Sequence, residues 1–283
     1  MYFCYLILQH IFDTSKAYFE CLYCCLILSD LKMINNFMKT IIVSFVIFST
    51  LFFSCQHSGK STKESNIVVT NASGTGSMFE IEFKKGSKFH YPVIAIWLET
   101  ANGEYIQTLY ISKSVATGYF QYGGRKAAGK FERGTRRRPA TVPYWSHKRN
   151  VREDDGFYVP TAANPIPDAY TGPTPLTNFT LKSKSDSLLS GHIRVLLEVN
   201  QAIDFNDYWN ENLYPNDMFY KSSGQPSLVY ATDVIDLKSP AAEYEMKLIG
   251  HGHYSGATGE LFSDVSKHTT ALQIVKSVVV KVK

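Results

Sequence analysis

From Phe79 the chain alternates apolar and charged positions: Phe79, Ile81 and Phe83 interleave with Glu80, Glu82 and Lys84. A period of two places alternate side chains on opposite faces, which predicts a half-buried strand. Tyr91 to Leu98 is almost continuously apolar, the pattern of a central strand covered on both faces. Asn102-Gly103 follows, two residues that tolerate positive φ, and Tyr105 to Lys113 returns as a partner. Residues 91–113 are therefore predicted to form a hairpin. Further strands are expected over 179–184, 192–200, 228–237, 242–250 and 275–282. The one expected helix is short, over 266–274. Seven or eight strands between Gly- and Pro-rich turns predict an all-β sandwich, with a barrel as the alternative. Segments 114–178 and 201–227 interrupt it as long insertions, a length that marks functional or disordered stretches.

The N-terminal pattern is different. Met38-Lys39 opens a run, Ile41 to Phe53, that is apolar apart from Ser44, Ser49 and Thr50 and leads into Ser54-Cys55. A charged start, a short greasy stretch and a small residue before the cut form a secretory signal. The run is shorter than the roughly 20 residues a membrane span needs. With Cys55 after the small residue, residues 38–54 resemble a bacterial lipoprotein signal, although Phe52 stands where Leu is usual. That resemblance implies lipid on Cys55 and a location in the bacterial cell envelope, periplasmic or outer-membrane. Residues 1–37 hold two apolar clusters and four cysteines ahead of this complete signal. They are read as upstream sequence, with translation starting at Met33 or Met38. Residues 55–77, rich in Ser, Lys, Thr, Asn and Gly, are expected to be a tether, and 78–283 a single domain.

Removing 54 residues from 283 leaves 229, enough for one large domain with its own core. All five cysteines lie at or before Cys55, so disulfides and thiol catalysis are excluded from the domain. The net charge of +4 is too mild to indicate a nucleic-acid partner.

Four segments could carry chemistry. Asp168-Ala-Tyr-Thr171-Gly172-Pro-Thr174 resembles the motif to which exported FMN transferases attach flavin. Asp168, Thr171 and Gly172 would frame an acceptor hydroxyl on Thr174, with Pro173 departing from the usual Ala. Gly172 and Pro173, with Pro165, Pro167 and Pro175 on either side, are also ordinary turn chemistry. A second string, Ser255 to Thr258, keeps Ser-Gly-Ala-Thr but has Gly252 where the motif has Asp. His251 and His253, two apart, would share one face of a strand and could supply two metal ligands, completed by Asp264 or His268. Arg136, Arg137 and Arg138 head a stretch of nine basic residues between 125 and 149 that would suit an anionic ligand. Asp204 and Asp207, in an acidic, aromatic and amide-rich loop, are the acids a glycan-acting hydrolase of the envelope would use. No Gly-x-Ser-x-Gly elbow, P-loop or His-Glu-x-x-His is present. Trp145, next to Pro143, is expected to pack down as an anchor.

The order of several segments adds a resemblance. Tyr91 to Glu99, Asn102-Gly103, Tyr105 to Leu109, Arg138-Pro139 with Pro143-Tyr-Trp145, Asp168 to Thr174 and Val195 to Glu198 together are similar to a family of periplasmic proteins defined by domain of unknown function 2271. The segment 248–282 resembles its version in lipoproteins of the Bacteroides group. The resemblance implies an immunoglobulin-like or fibronectin-like sandwich encoded near PepSY membrane proteins and FMN transferases. It implies an accessory or binding component of an envelope system, linked to flavin, redox or metal chemistry, and no established activity.

Overall fold

Two β-sheets pack face to face in the computed structural model, which describes residues 66–125 and 131–283. Cys55, expected to carry lipid, and residues 38–54, expected to be a signal, lie outside the described residues. The first sheet contains β1 (Asn66–Thr70), β8 (Phe179–Lys184), β2 (Met78–Lys85), β14 (Val275–Val282) and β12 (Tyr244–Glu245), in that order. The second runs β13 (Lys247–His251), β10 (Leu228–Ala231), β9 (His192–Asn200), β3 (Val93–Thr100), β4 (Tyr105–Ser112) and β7 (Thr171–Gly172), with β11 (Ile235–Asp236) also paired to β9. A separate ribbon joins β5 (Tyr119–Arg125) to β6 (Phe131–Thr135).

The expected all-β sandwich is present, and alternation builds its core. Phe79, Ile81 and Phe83 of β2 and Phe179 and Leu181 of β8 meet Ile94, Ile96 and Leu98 of β3 and Val195 and Leu197 of β9. The rings of Phe83 and Phe179 stack 4.9 Å apart. Each such side chain contributes about 1.5–3 kcal/mol when fully withdrawn from water.

The second sheet is covered on its other face as well, which explains the unbroken apolar run in β3. Ala95, Trp97, Leu196 and Val229 face outward onto Val142 and Trp145. Trp145 belongs to α2 (Pro143–Arg149), carried by the first insertion and preceded by the single-turn α1 (Lys113–Ala116). Its indole is fully buried, as expected of an anchor, and Nε1 donates to Thr108 Oγ1 at 3.0 Å. This short helix has no side-chain cap of its own. Instead Glu198 of β9 accepts the N–H groups of Tyr144 and Trp145 at 3.2 and 2.7 Å, satisfying donors that a helix start leaves open. Ser227 Oγ adds a third bond, at 2.5 Å.

Four expectations need correction. The strand read over 242–250 is two, since Tyr244–Glu245 pairs with β14 in the first sheet and Lys247–His251 with β10 in the second. β1 occupies part of the stretch read as tether, so the sandwich begins at Asn66 rather than at 78. The strand read over 228–237 breaks after Ala231, because Thr232 turns its hydroxyl to accept the Val195 N–H at 3.1 Å. The helix expected over 266–274 reduces to one 3-10 turn, Ala271–Gln273. Its upstream residues are drawn away: Thr269 N–H donates to Gln225 and Thr270 Oγ1 donates to Asp204.

Candidate functional site at one end of the sandwich

The strand pairings define two ends. β8 starts beside the C-terminus of β2, with Phe83 opposite Phe179, and β1 runs parallel to β8 from Asn66 opposite Phe179. In the second sheet Val93 opens β3 opposite Asn200, the last residue of β9. The turns 86–92, 175–178 and 201–204 therefore gather at one end, where Asn66 also enters.

The Asp168–Thr174 string climbs the sheet edge toward this end. Asp168–Tyr170 makes a 3-10 turn, anchored where Ala169 C=O accepts the Asn71 N–H at 2.7 Å and Tyr170 OH donates to Asp186 at 2.7 Å. Thr171 and Gly172 then form β7, a two-residue edge strand parallel to β4 at Ile111 and Ser112. Gly172 packs closely: a Cβ there would lie 3.2 Å from the ring of Tyr110, which would have to shift by a few tenths of an ångström.

Thr174 follows, half-buried, its hydroxyl 2.8 Å from Ser112 Oγ. Ser112 Oγ also accepts the Ile94 N–H at 3.0 Å, and either hydroxyl can donate across the contact with Thr174. Tyr110 OH donates to the carbonyls of Gly172 and Pro173 at 3.3 and 3.1 Å, and burial pushes this phenol up to about 12. Thr174 thus sits among neutral hydroxyls. Asp168 is exposed and pairs with Lys113 at 3.5 Å, and Thr171 Oγ1 donates back to Asp168 at 3.4 Å. The structure brings the four motif residues onto one edge, with the Asp168 carboxylate facing Lys113 and Thr171 and the Thr174 hydroxyl facing Ser112. Ser112 and Tyr110 were not singled out by the sequence, since more than sixty residues separate them from Thr174.

The histidines stand elsewhere. β13 ends at His251, so strand alternation does not extend to His253. His251 Nδ1 donates to Gly252 C=O at 2.8 Å, while His253 Nδ1 accepts the Ser255 N–H at 3.2 Å. The two imidazoles flank Phe262, with centroids 5.2 and 6.1 Å from its ring. His268 lies 4.8 Å from His251 and is buried, with neither ring nitrogen hydrogen-bonded. Burial and the neighbouring His251 lower it to about 4. Asp264 is exposed and accepts the Ser266 N–H. Among the described residues, no three His, Asp, Glu or Cys side chains are grouped so as to hold a metal ion.

The three arginines diverge. Arg137 forms a two-point pair with Asp155, at 2.5 and 3.0 Å, and also donates to Pro160 C=O at 2.6 Å. Arg138 lies over the Phe120 ring at 4.4 Å. Arg136 is exposed and, with Arg137, lines a cleft of about 480 Å³ closed by Gly118 and Thr161. Of the two loop acids, Asp207 is exposed, and Asp204 is half-buried with Oδ1 accepting from Thr270 at 2.5 Å. In the second Ser-Gly-Ala-Thr string, Thr258 is exposed and Ser255 is buried.

No helix among the described residues is long and apolar enough to cross a membrane. A scan against protein-family models, a search of curated proteins and a search of solved structures each returned no match.

Proposed function

We propose that this chain is a lipoprotein of the bacterial cell envelope, held by lipid on Cys55, whose sandwich is a non-enzymatic accessory module of an extracytosolic redox system and carries FMN on Thr174. One observation carries this reading: the Asp168–Thr174 string lies on an open sheet edge and delivers a half-buried hydroxyl to the end where the chain arrives from Cys55.

The residues fit an acceptor better than an active site. Thr174 has a neutral hydroxyl as its partner, so its activation belongs to a transferase and not to this chain. β7 pairs through only two residues, and so short an edge strand can detach at low cost. In the attachment step Thr174 Oγ1 forms a bond to the FMN phosphorus of flavin adenine dinucleotide. The pyrophosphate bond breaks, AMP leaves with its electron pair, and the hydroxyl proton passes to a base of the transferase. FMN supplies a ring that accepts and releases one or two electrons, here exchanged with a PepSY-type membrane protein. Gly172 keeps the backbone at the acceptor close to Tyr110, and Tyr110 and Ser112 hold the segment in place when it returns to the sheet.

The test is co-production of the exported chain with a bacterial FMN transferase, followed by flavin fluorescence of the denatured protein in a gel. Wild type and Thr258→Ala should fluoresce and Thr174→Ala should not. A fluorescent Thr174→Ala protein would remove the assignment.

A further inference from the structure

Two residues at the Asn66 end hold conformations their side chains disfavour. Tyr91 has φ 53° and Ile203 has φ 60°, a left-handed region that is unusual for a bulky residue and an outlier for a β-branched one. Both are well exposed, at 75 % and 61 %. They belong to adjacent turns: His90 N–H donates to Gln201 at 2.7 Å, and Val93 pairs with Asn200. Backbone strain of this kind persists where a function requires it. Here it displays two large apolar groups to solvent.

The surroundings indicate what covers them. Leu176 and Leu272, on the other turns of this end, are also exposed. Lys84, Lys85, Lys88 and Lys267 are exposed around them, against Asp207 and Asp264 on the flank. The opposite end presents Glu104 and Asp186 beside Lys238 and Lys283, and its Asp233 is paired with Lys247 at 2.7 Å. Apolar and aromatic tips ringed by lysines suit the boundary between lipid headgroups and acyl chains, and the lysines suit anionic headgroups. Position agrees with chemistry. Asn66 starts β1 at this end, and the ten residues 56–65 separate it from Cys55. Fully extended they would reach at most about 35 Å, so a lipid on Cys55 would keep this end within reach of the bilayer.

We infer that this end of the sandwich, centred on Tyr91 and Ile203, docks on an anionic lipid surface. The inference rests on the anchoring part of the proposed function and not on the flavin. Docking would also hold Thr174, on the rim of the same end, near the membrane plane.

The mature chain, residues 55–283, with Cys55→Ser tests this without the anchor. It is mixed with vesicles of phosphatidylcholine alone or of phosphatidylcholine with phosphatidylglycerol and sedimented. Binding is expected only to the anionic vesicles. Lys84→Gln and Lys88→Gln should each weaken it about fivefold. Tyr91→Ser with Ile203→Ser should abolish it, whereas Leu188→Ser at the opposite end should leave it unchanged. A Tyr91→Trp protein, folded by circular dichroism, should shift its emission to the blue on binding. Absence of binding, equal binding to the neutral vesicles, or binding that survives Tyr91→Ser with Ile203→Ser overturns the inference. Because Cys55 is replaced and Thr174 unmodified, neither a failure of lipidation nor one of flavin attachment can produce these results.

Discussion

Ser112 Oγ and Thr174 Oγ1 lie 2.8 Å apart across the junction of β4 and the turn that follows β7. Ser112 is fully buried and also accepts the Ile94 N–H. Ser112→Ala should therefore cost about 1–3 kcal/mol, since it leaves a buried donor unpaired, and Thr174→Ala about 1 kcal/mol or less. A double-mutant cycle by urea unfolding should show the two to be non-additive. Strict additivity would mean that the bond contributes nothing.

Glu198 links β9 to α2 and should make stability depend on pH. Burial pushes its carboxyl up to about 7 despite three hydrogen bonds that favour the charged form. The folded state thus holds this proton more tightly than the unfolded state. The associated stability is fully present below the ordinary carboxyl range and is lost as pH rises through about 7. The melting temperature of wild type relative to Glu198→Gln should fall steadily between pH 4.5 and 7. A flat difference would contradict the assignment.

His268 should act in the opposite direction. Its folded value of about 4 is depressed by burial and by His251. Its contribution is present above the ordinary histidine value, near 6.5, and is lost as pH falls toward 4. Melting of His268→Phe, which cannot charge, should be less sensitive to acid than wild type across that interval. Equal acid sensitivity would show that another group controls the transition.

Gly252 sits where a side chain has no space. A Cβ there would lie 2.6 Å from Pro143, 2.7 Å from Ser227 Oγ and 3.0 Å from Glu198 Oε1. Gly252→Ala should displace the carboxylate from the helix start and destabilise by about 1–3 kcal/mol. The indole of Trp145 reports the change: its fluorescence should shift to the red as α2 loosens. Unchanged stability and emission would show that the helix start tolerates the displacement.

Much of the sandwich was legible because its signals are local. The β3–β4 hairpin announces itself through Asn102-Gly103 between apolar runs, and β8, β9 and β14 span the expected residues. The missed elements depend on distant partners. β1 has only Ile67, Val68 and Val69 in a polar stretch, and its strand exists because β8 lies alongside. α2 takes its cap from Glu198, more than fifty residues away, and Pro143 at its first position is a local mark of its start without a capping side chain beside it. The site divides in the same way. Asp168 to Thr174 reads as a turn, which holds for Asp168–Tyr170, whereas Thr171 and Gly172 pair with β4, and that pairing alone makes Ser112 and Tyr110 neighbours of the string. The positive φ of Tyr91 and Ile203 leaves no trace in residue type, since neither is Gly, Asn or Asp.

Intact mass decides whether Thr174 carries covalent flavin. The exported chain is produced with and without an active FMN transferase, weighed, and digested to locate any modified peptide. The expected gain equals FMN less one water, confined to the peptide containing Thr174 and absent from Thr174→Ala. No gain, with the transferase active on a control substrate, or the same gain on Thr258 alone, would contradict it.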